Sequence, residues 1–193
     1  MRSKDISIFS SNCMGGVLSH DFGLRFLSPT INMFICPGDF VELMSHLKEY
    51  LSYDLREAEQ TGKHYPVAIL GEGQKRKSIM LHGLHYSSYE LLEKKWNERK
   101  QRINWDNLFI MMFERDGCTY KDLKSFDALP YTNKVVFVHK EMPEIHSSYY
   151  IQGSELIGDP EHKVTVLTNY TGLFSGKRII DAFDYVKFFN KNC

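Results

Sequence analysis

The sequence predicts an α/β fold, a three-layer Rossmann-like domain with a mainly parallel sheet and an added antiparallel hairpin, spanning residues 1–193 as one unit. Three observations lead there. Short apolar runs rich in β-branched and aromatic residues alternate with amphipathic stretches of helical period. Leu108-Phe109-Ile110-Met111-Met112-Phe113 is apolar without interruption, as a strand covered on both faces must be. From that strand, Thr119 caps a helix carrying Leu123 and Phe126, and Pro130 and Asn133 turn the chain into Val135-Val136-Phe137-Val138, which is a β-α-β unit.

The remaining elements follow in order. Ile6-Ser7-Ile8-Phe9 reads as the first strand, and Ile31-Asn32-Met33-Phe34-Ile35 as a second that could share its sheet. After Pro37-Gly38, the Asp39/Glu42 spacing suggests a capping box for a helix over about 40–51, with Phe40, Leu43, Met44, Leu47 and Leu51 on one face. Val67–Leu70 and Ile79–His82 flank Gly71-Glu72-Gly73 as a hairpin, whose basic tip at Lys75, Arg76 and Lys77 is expected to be solvated. Ser87 and Glu90 form a second capping box ahead of a helix with Tyr89, Leu92, Trp96 and Ile103 near one side. Val164–Leu167 reads as a last strand, and Ile179, Ile180, Phe183 and Val186 as the apolar face of a last helix.

Composition limits the function classes. With 24 Lys plus Arg against 24 Asp plus Glu, no long-range field favours nucleic acid or an anionic membrane, so an anionic ligand must be held by local groups. Lys94, Lys95, Arg99, Lys100 and Arg102 lie near Trp96 and Trp105, but Glu90, Glu93 and Glu98 interrupt them, as on a solvated amphipathic helix. The apolar run at 108–113 falls far short of the roughly 20 residues that span a bilayer. The polar start lacks a signal-peptide core, which points to the cytoplasm. Cys13, Cys36, Cys118 and Cys193 are scattered without zinc spacing, which argues for reduced thiols and against a structural metal site.

In open α/β sheets ligands sit beyond the carboxyl ends of the strands. That rule selects Ser10–Gly16, Glu114–Gly117, His139-Lys140 and Thr168–Tyr170 as loops that would share one rim. The first holds Ser11, Asn12, Cys13, Gly15 and Gly16. Small hydroxyls, an amide and two glycines let backbone approach a phosphate or sugar, although neither the Walker A nor the GxGxxG pattern is present; the competing reading is an Asn-capped turn. Glu114, Arg115 and Asp116 sit where carboxylates could share a divalent cation with a diphosphate. The run also approaches the phosphatase signature of the haloacid dehalogenase superfamily, but Glu114 stands where the nucleophilic aspartate would be. Either His82 or His85 could act as a base or contact phosphate, and Cys13 with His85 would form a thiol-imidazole dyad if they met.

Several stretches together resemble a known family. They are Ser11-Asn12-Cys13-x-Gly15-Gly16, Leu27-Ser28-Pro29-Thr30, Tyr65-Pro66-Val67, Leu84-His85-Tyr86, Lys95-Trp96-Asn97-x-Arg99-Lys100-x-Arg102-Ile103-Asn104, Asp106-Asn107-Leu108-Phe109-Ile110, Arg115-Asp116-Gly117 and Phe126-Asp127-x-Leu129-Pro130-Tyr131. The chain from about Ile6 to Lys140 is similar to the bacterial domain of unknown function 1919. Members often lie among genes for exopolysaccharide or capsule biosynthesis, so the resemblance implies a role in building surface glycans and assigns no catalytic residue.

The leading expectation is a cytoplasmic transferase acting on a sugar or nucleotide-sugar. Ser11, Asn12, Gly15 and Gly16 would hold phosphate or hydroxyls, Asp116 would be base or metal ligand, and Arg115 or His85 would balance charge. A thiol-dependent acyltransferase or hydrolase using Cys13 and His85, and a non-catalytic partner in a polysaccharide-synthesis complex, are the alternatives.

Overall fold

The computed structural model describes residues 5–59, 62–71, 76–152, 154, 164 and 176–190. Along the chain run β1 (Ser7–Ser10), α1 (Met14–Asp21), α2 (Pro37–Ser45), α3 (Leu47–Tyr50), β2 (Leu55–Glu57), β3 (Val67–Leu70), β4 (Ile79–His82), α4 (Tyr89–Lys100), β5 (Leu108–Phe113), α5 (Tyr120–Asp127), β6 (Lys134–Val138), β7 (Ser148–Tyr150), a 3-10 turn at Ile179–Ala182 and α6 (Tyr185–Phe189).

Four strands form a parallel sheet in the order β1-β5-β6-β7, and β2-β3-β4 form a separate antiparallel sheet. The alternation of β5 explains why its sequence has no polar position. Phe109, Met111 and Phe113 pack into a core with Ile6, Ile8, Met14, Leu18, Phe137, Phe188 and Phe189. Ile110 and Met112 pack on the other face with Phe40, Leu43, Leu92, Trp96, Leu123 and Phe126. Helices and the small sheet therefore cover both faces of the parallel sheet, an α/β architecture. No helix among the described residues is long and apolar enough to cross a membrane.

Several local expectations are corrected by the competition of side chains for the same backbone groups. The 31–35 segment is no strand of the main sheet. Phe34 makes one antiparallel bridge with His82, exchanging N–H to carbonyl bonds of 2.8 Å in both directions. The helix expected over 40–51 starts earlier, at Pro37, whose missing N–H and fixed φ suit a first turn, and it breaks at His46 into α2 and α3. Asp39 is no capping box, because its carboxylate is taken by the Lys77 ammonium at 2.6 Å and the Met80 N–H at 3.1 Å. Lys77 is solvated as expected, at 62% exposure, while it and Arg76 are also tied to the body of the protein, Arg76 through Glu49 at 2.8 Å. Ser88, not Ser87, caps α4, accepting from the Leu91 N–H. Thr119 and Asp122 form the capping box of α5 as their residue types require. In the last helical stretch Val186 is exposed, and Phe188 and Phe189 supply the buried face instead. Of the expected strand at 164–167 only Val164 is described, and it is buried; Thr165–Leu167 and the loop Thr168–Tyr170 lie outside the described residues.

Asp127, at the end of α5, accepts from the backbone N–H of His146 at 3.2 Å and of Ser147 at 2.7 Å, fixing the entry into β7. Burial works to raise its carboxyl, but the hydrogen bonds from Ser147 and His146 outweigh it and hold the group below its ordinary value. A carboxyl depressed in the fold contributes stability above its unfolded value, about pH 4, and loses it as pH falls through the lower folded value. Asp127→Asn is expected to lower stability by about 1 kcal/mol at neutral pH. Urea unfolding at pH 7 and at about pH 3 checks this, because the gap between the two proteins should shrink in acid.

Candidate functional site

Parallel pairing of β1, β5 and β6 brings the loops that follow them to one rim. The Ser11 N–H donates to the Met111 carbonyl at 3.0 Å, and the Glu114 N–H donates to the Phe137 carbonyl at 2.9 Å. Both bonds continue the ladders just past the strand ends. The loop of β1, the turn Glu114–Gly117 and His139-Lys140 are therefore neighbours in that order.

The first loop is heavily committed to packing. Asn12, 6% exposed, accepts through Oδ1 from the Met14 N–H at 3.0 Å and from the Ser10 hydroxyl at 3.3 Å. The Ser11 carbonyl accepts from the Ile35 N–H at 2.9 Å, so the 28–35 segment lies against the loop. The two glycines permit close approach. A Cβ on Gly16 would stand 2.9 Å from Asn32 Oδ1, and one on Gly15 would stand 3.0 Å from Ser10 Cβ. Cys13 is half-buried as the residue preceding α1, and His85 is exposed in the turn after β4; no hydrogen bond joins them.

Asp116 occupies the left-handed region at φ +54°, followed by Gly117 at +78°, a conformation that aspartate tolerates better than bulky residues do. It pairs with the Arg115 guanidinium. Its field also reaches Cys36, which precedes α2. Burial first, then the carboxylates of Asp39 and Asp116, pushes the Cys36 thiol up, away from the nucleophilic thiolate. Among the described residues no group of three or more His, Cys, Asp or Glu side chains could hold a metal ion.

The chemistry of the rim is concentrated one loop further on. Glu114 is 2% exposed, and Oε2 accepts from the His139 backbone N–H at 3.1 Å and lies 2.6 Å from His139 Nδ1. A carboxylate beside Nδ1 holds the proton there, so a neutral ring carries its lone pair on Nε2. Burying an anion costs several kcal/mol unless donors replace water, and here backbone and ring donors converge on one oxygen. The His139 side chain keeps 22% exposure. With Glu114, Lys140, Tyr120 and Glu144 it lines a cavity of about 310 Å³, and the Tyr120 hydroxyl donates to Glu144 at 3.1 Å.

The family model described as "Domain of unknown function (DUF1919)" matches residues 1–190. The chain belongs to that family. A relative from Haemophilus influenzae (strain ATCC 51907 / DSM 11121 / KW20 / Rd), described as an uncharacterized protein, is 38% identical over 190 residues, covering 98% of this chain and 86% of its own length.

In this DUF1919 chain, most residues expected to carry chemistry fall in two places on this rim, and His85 lies apart in the exposed turn after β4. Ser11, Asn12, Gly15 and Gly16 build the β1-to-α1 turn, and Arg115 and Asp116 pair with each other beside it. Glu114 and His139 form the buried pair. The sequence marks each as the residue directly after a strand; the Phe113 to Phe137 register that makes the two strand ends adjacent is seen in the structure. Reading Glu114 with its chain neighbours, as part of an acidic run, obscured their pairing. The other rim residues sequence reasoning missed, Cys36 and Tyr120, come from outside the strand-end loops.

Proposed function

We propose that the chain is a transferase acting on a sugar or nucleotide-sugar, with His139 as the base that takes the proton from an acceptor hydroxyl. The observation carrying this reading is the buried Glu114 carboxylate bonded to His139 Nδ1 at the mouth of a cavity. Glu114 fixes tautomer and ring orientation, so Nε2 is ready to accept a proton without reorganisation. Lys140 supplies positive charge for a departing phosphate, and Tyr120 an aromatic surface beside it. The base role thereby moves from Asp116, held by Arg115, to His139. A setting in surface-glycan assembly is what membership of the family suggests.

The test is incubation of the purified protein with a panel of nucleotide-sugars and oligosaccharide acceptors, with and without Mg²⁺ or Mn²⁺, read by mass spectrometry. Wild type is expected to form a glycosylated product. His139→Ala is expected to lose a factor of about 10²–10⁴ in rate. No product from wild type across the panel, or an undiminished rate in His139→Ala, overturns the reading.

A further inference from the structure

The larger cavity lies at the opposite edge of the sheet. It measures about 710 Å³, within the roughly 300–1,000 Å³ typical of ligand pockets. Its walls come from the start of α3, the turn that leads into β5 and the turn that leads into β6. The six residues of β5, at about 3.3 Å each, separate it from the Glu114–His139 edge.

Its lining combines an exposed aromatic surface with polar groups that the fold does not use. Trp105 is 43% exposed and lies under the Lys48 ammonium, 5.4 Å from the ring centroid. A π face that attracts a cation also attracts the weakly positive C–H groups on one side of a pyranose ring. Beside it, the side chains of Asp106 and Thr132 make no hydrogen bond or ion pair with the described residues. Asn133 lines the same cavity and is 4% exposed. Its Nδ2 donates to the Leu108 carbonyl at 3.4 Å, while Oδ1 is buried and finds no partner among the described residues. A buried acceptor left without a donor is a rare expense in a folded protein. Shut off from solvent as it stands, it would be satisfied by a ligand hydroxyl once the Asn133 amide turns toward the cavity that the residue lines.

The rest of the wall is held rigid. Tyr131 donates its hydroxyl to the Met44 carbonyl at 2.8 Å. Arg76 bonds Glu49 at 2.8 Å and donates to His46 Nε2 at 3.1 Å, fixing that ring's tautomer. An aromatic face, a carboxylate, an amide oxygen and a hydroxyl on rigid walls match the alternating C–H and O–H surface of a sugar. The cation in this lining is Lys48, which sits over the Trp105 ring, while Arg76 behind the wall is paired with Glu49.

From this lining we infer that the cavity at the amino-terminal edge is a saccharide-binding site, with Trp105 as stacking platform and Asp106, Thr132 and Asn133 as hydroxyl partners. It is separate from the Glu114–His139 site and does not depend on that site's being catalytic. A saturation-transfer NMR titration of the whole chain would test it, using glucose, galactose, N-acetylglucosamine, maltose, lactose and N,N′-diacetylchitobiose. Concentrations up to about 50 mM lie well above the roughly millimolar affinity of a single small site. At least one saccharide is expected to bind saturably. Trp105→Ala should weaken it by about tenfold or more, with Trp105→Phe recovering most of the loss. His139→Ala should leave this binding unchanged, so failure at one site is distinguishable from failure at the other. Absence of binding by every saccharide, equal binding by Trp105→Ala, or uridine diphosphate binding at Trp105 while the saccharides do not, would each overturn the inference.

Discussion

Glu114→Gln is expected to leave the protein folded and to reduce sugar transfer by about two to four orders of magnitude. Glutamine keeps the length of glutamate, and its amide oxygen can still accept from the His139 backbone N–H, the bond that measures 3.1 Å in the wild type. Its oxygen, with two lone pairs, can accept from both backbone and ring, but only as a neutral acceptor and only in one of the two amide orientations. If the amide NH₂ faces the imidazole, Nδ1 must become the acceptor, the proton moves to Nε2, and the lone pair needed at the substrate is lost. A neutral amide also no longer balances the cation that forms when His139 takes a proton. Stability should fall by only about 1–2 kcal/mol, because the buried backbone donor keeps a partner. Parallel measurement of kcat and of urea unfolding separates the effects: a large loss of kcat with a nearly unchanged midpoint is expected, whereas equal rates in the two proteins would remove Glu114 from the mechanism.

The comparison of Glu114 with Asp116 shows what a sequence can carry. Both were visible as carboxylates after the central strand, and the preference for the carboxyl ends of strands led to the edge where Glu114 meets His139. The sequence does not contain the choice between them, because it depends on a partner met at the end of the neighbouring strand β6. Asp116 turns back through a left-handed residue to Arg115, while Glu114 continues the strand direction into the donors of His139. Strand β5 was legible for a local reason, since burial on both faces leaves it no polar position. The small sheet was only half legible. Its hairpin β3–β4 had a turn signal, but β2, with Leu55 buried and Arg56 and Glu57 exposed, is too short for periodicity to mark it. The segment 31–35 has the composition of a strand, yet it is used to roof the first loop. There tertiary packing outweighs β-propensity.

Phe137→Ala should produce the largest stability loss of any single change considered, about 3–5 kcal/mol. The ring is fully buried and stacks on Phe113 at 4.8 Å between centroids, with Phe183 at 5.2 Å and Tyr149 at 5.9 Å on its other sides. These neighbours come from β5, from the stretch between the 3-10 turn and α6, and from β7, so they cannot collapse together into the space left behind. Such a loss is a large part of the roughly 5–15 kcal/mol that holds a domain folded. Leucine at the same position keeps most of the volume and should cost under about 2 kcal/mol. The site should be affected differently from the fold. What Phe137 gives Glu114 is its backbone carbonyl, which accepts the Glu114 N–H at 2.9 Å and survives removal of the ring. Molecules that remain folded should therefore retain the Glu114–His139 geometry. Well below the lowered melting temperature, kcat corrected for the folded fraction is expected to fall by less than about tenfold, far less than for Glu114→Gln. A Phe137→Ala protein that unfolds as wild type does would mean that this face of the sheet is not the tightly packed core its ring distances describe.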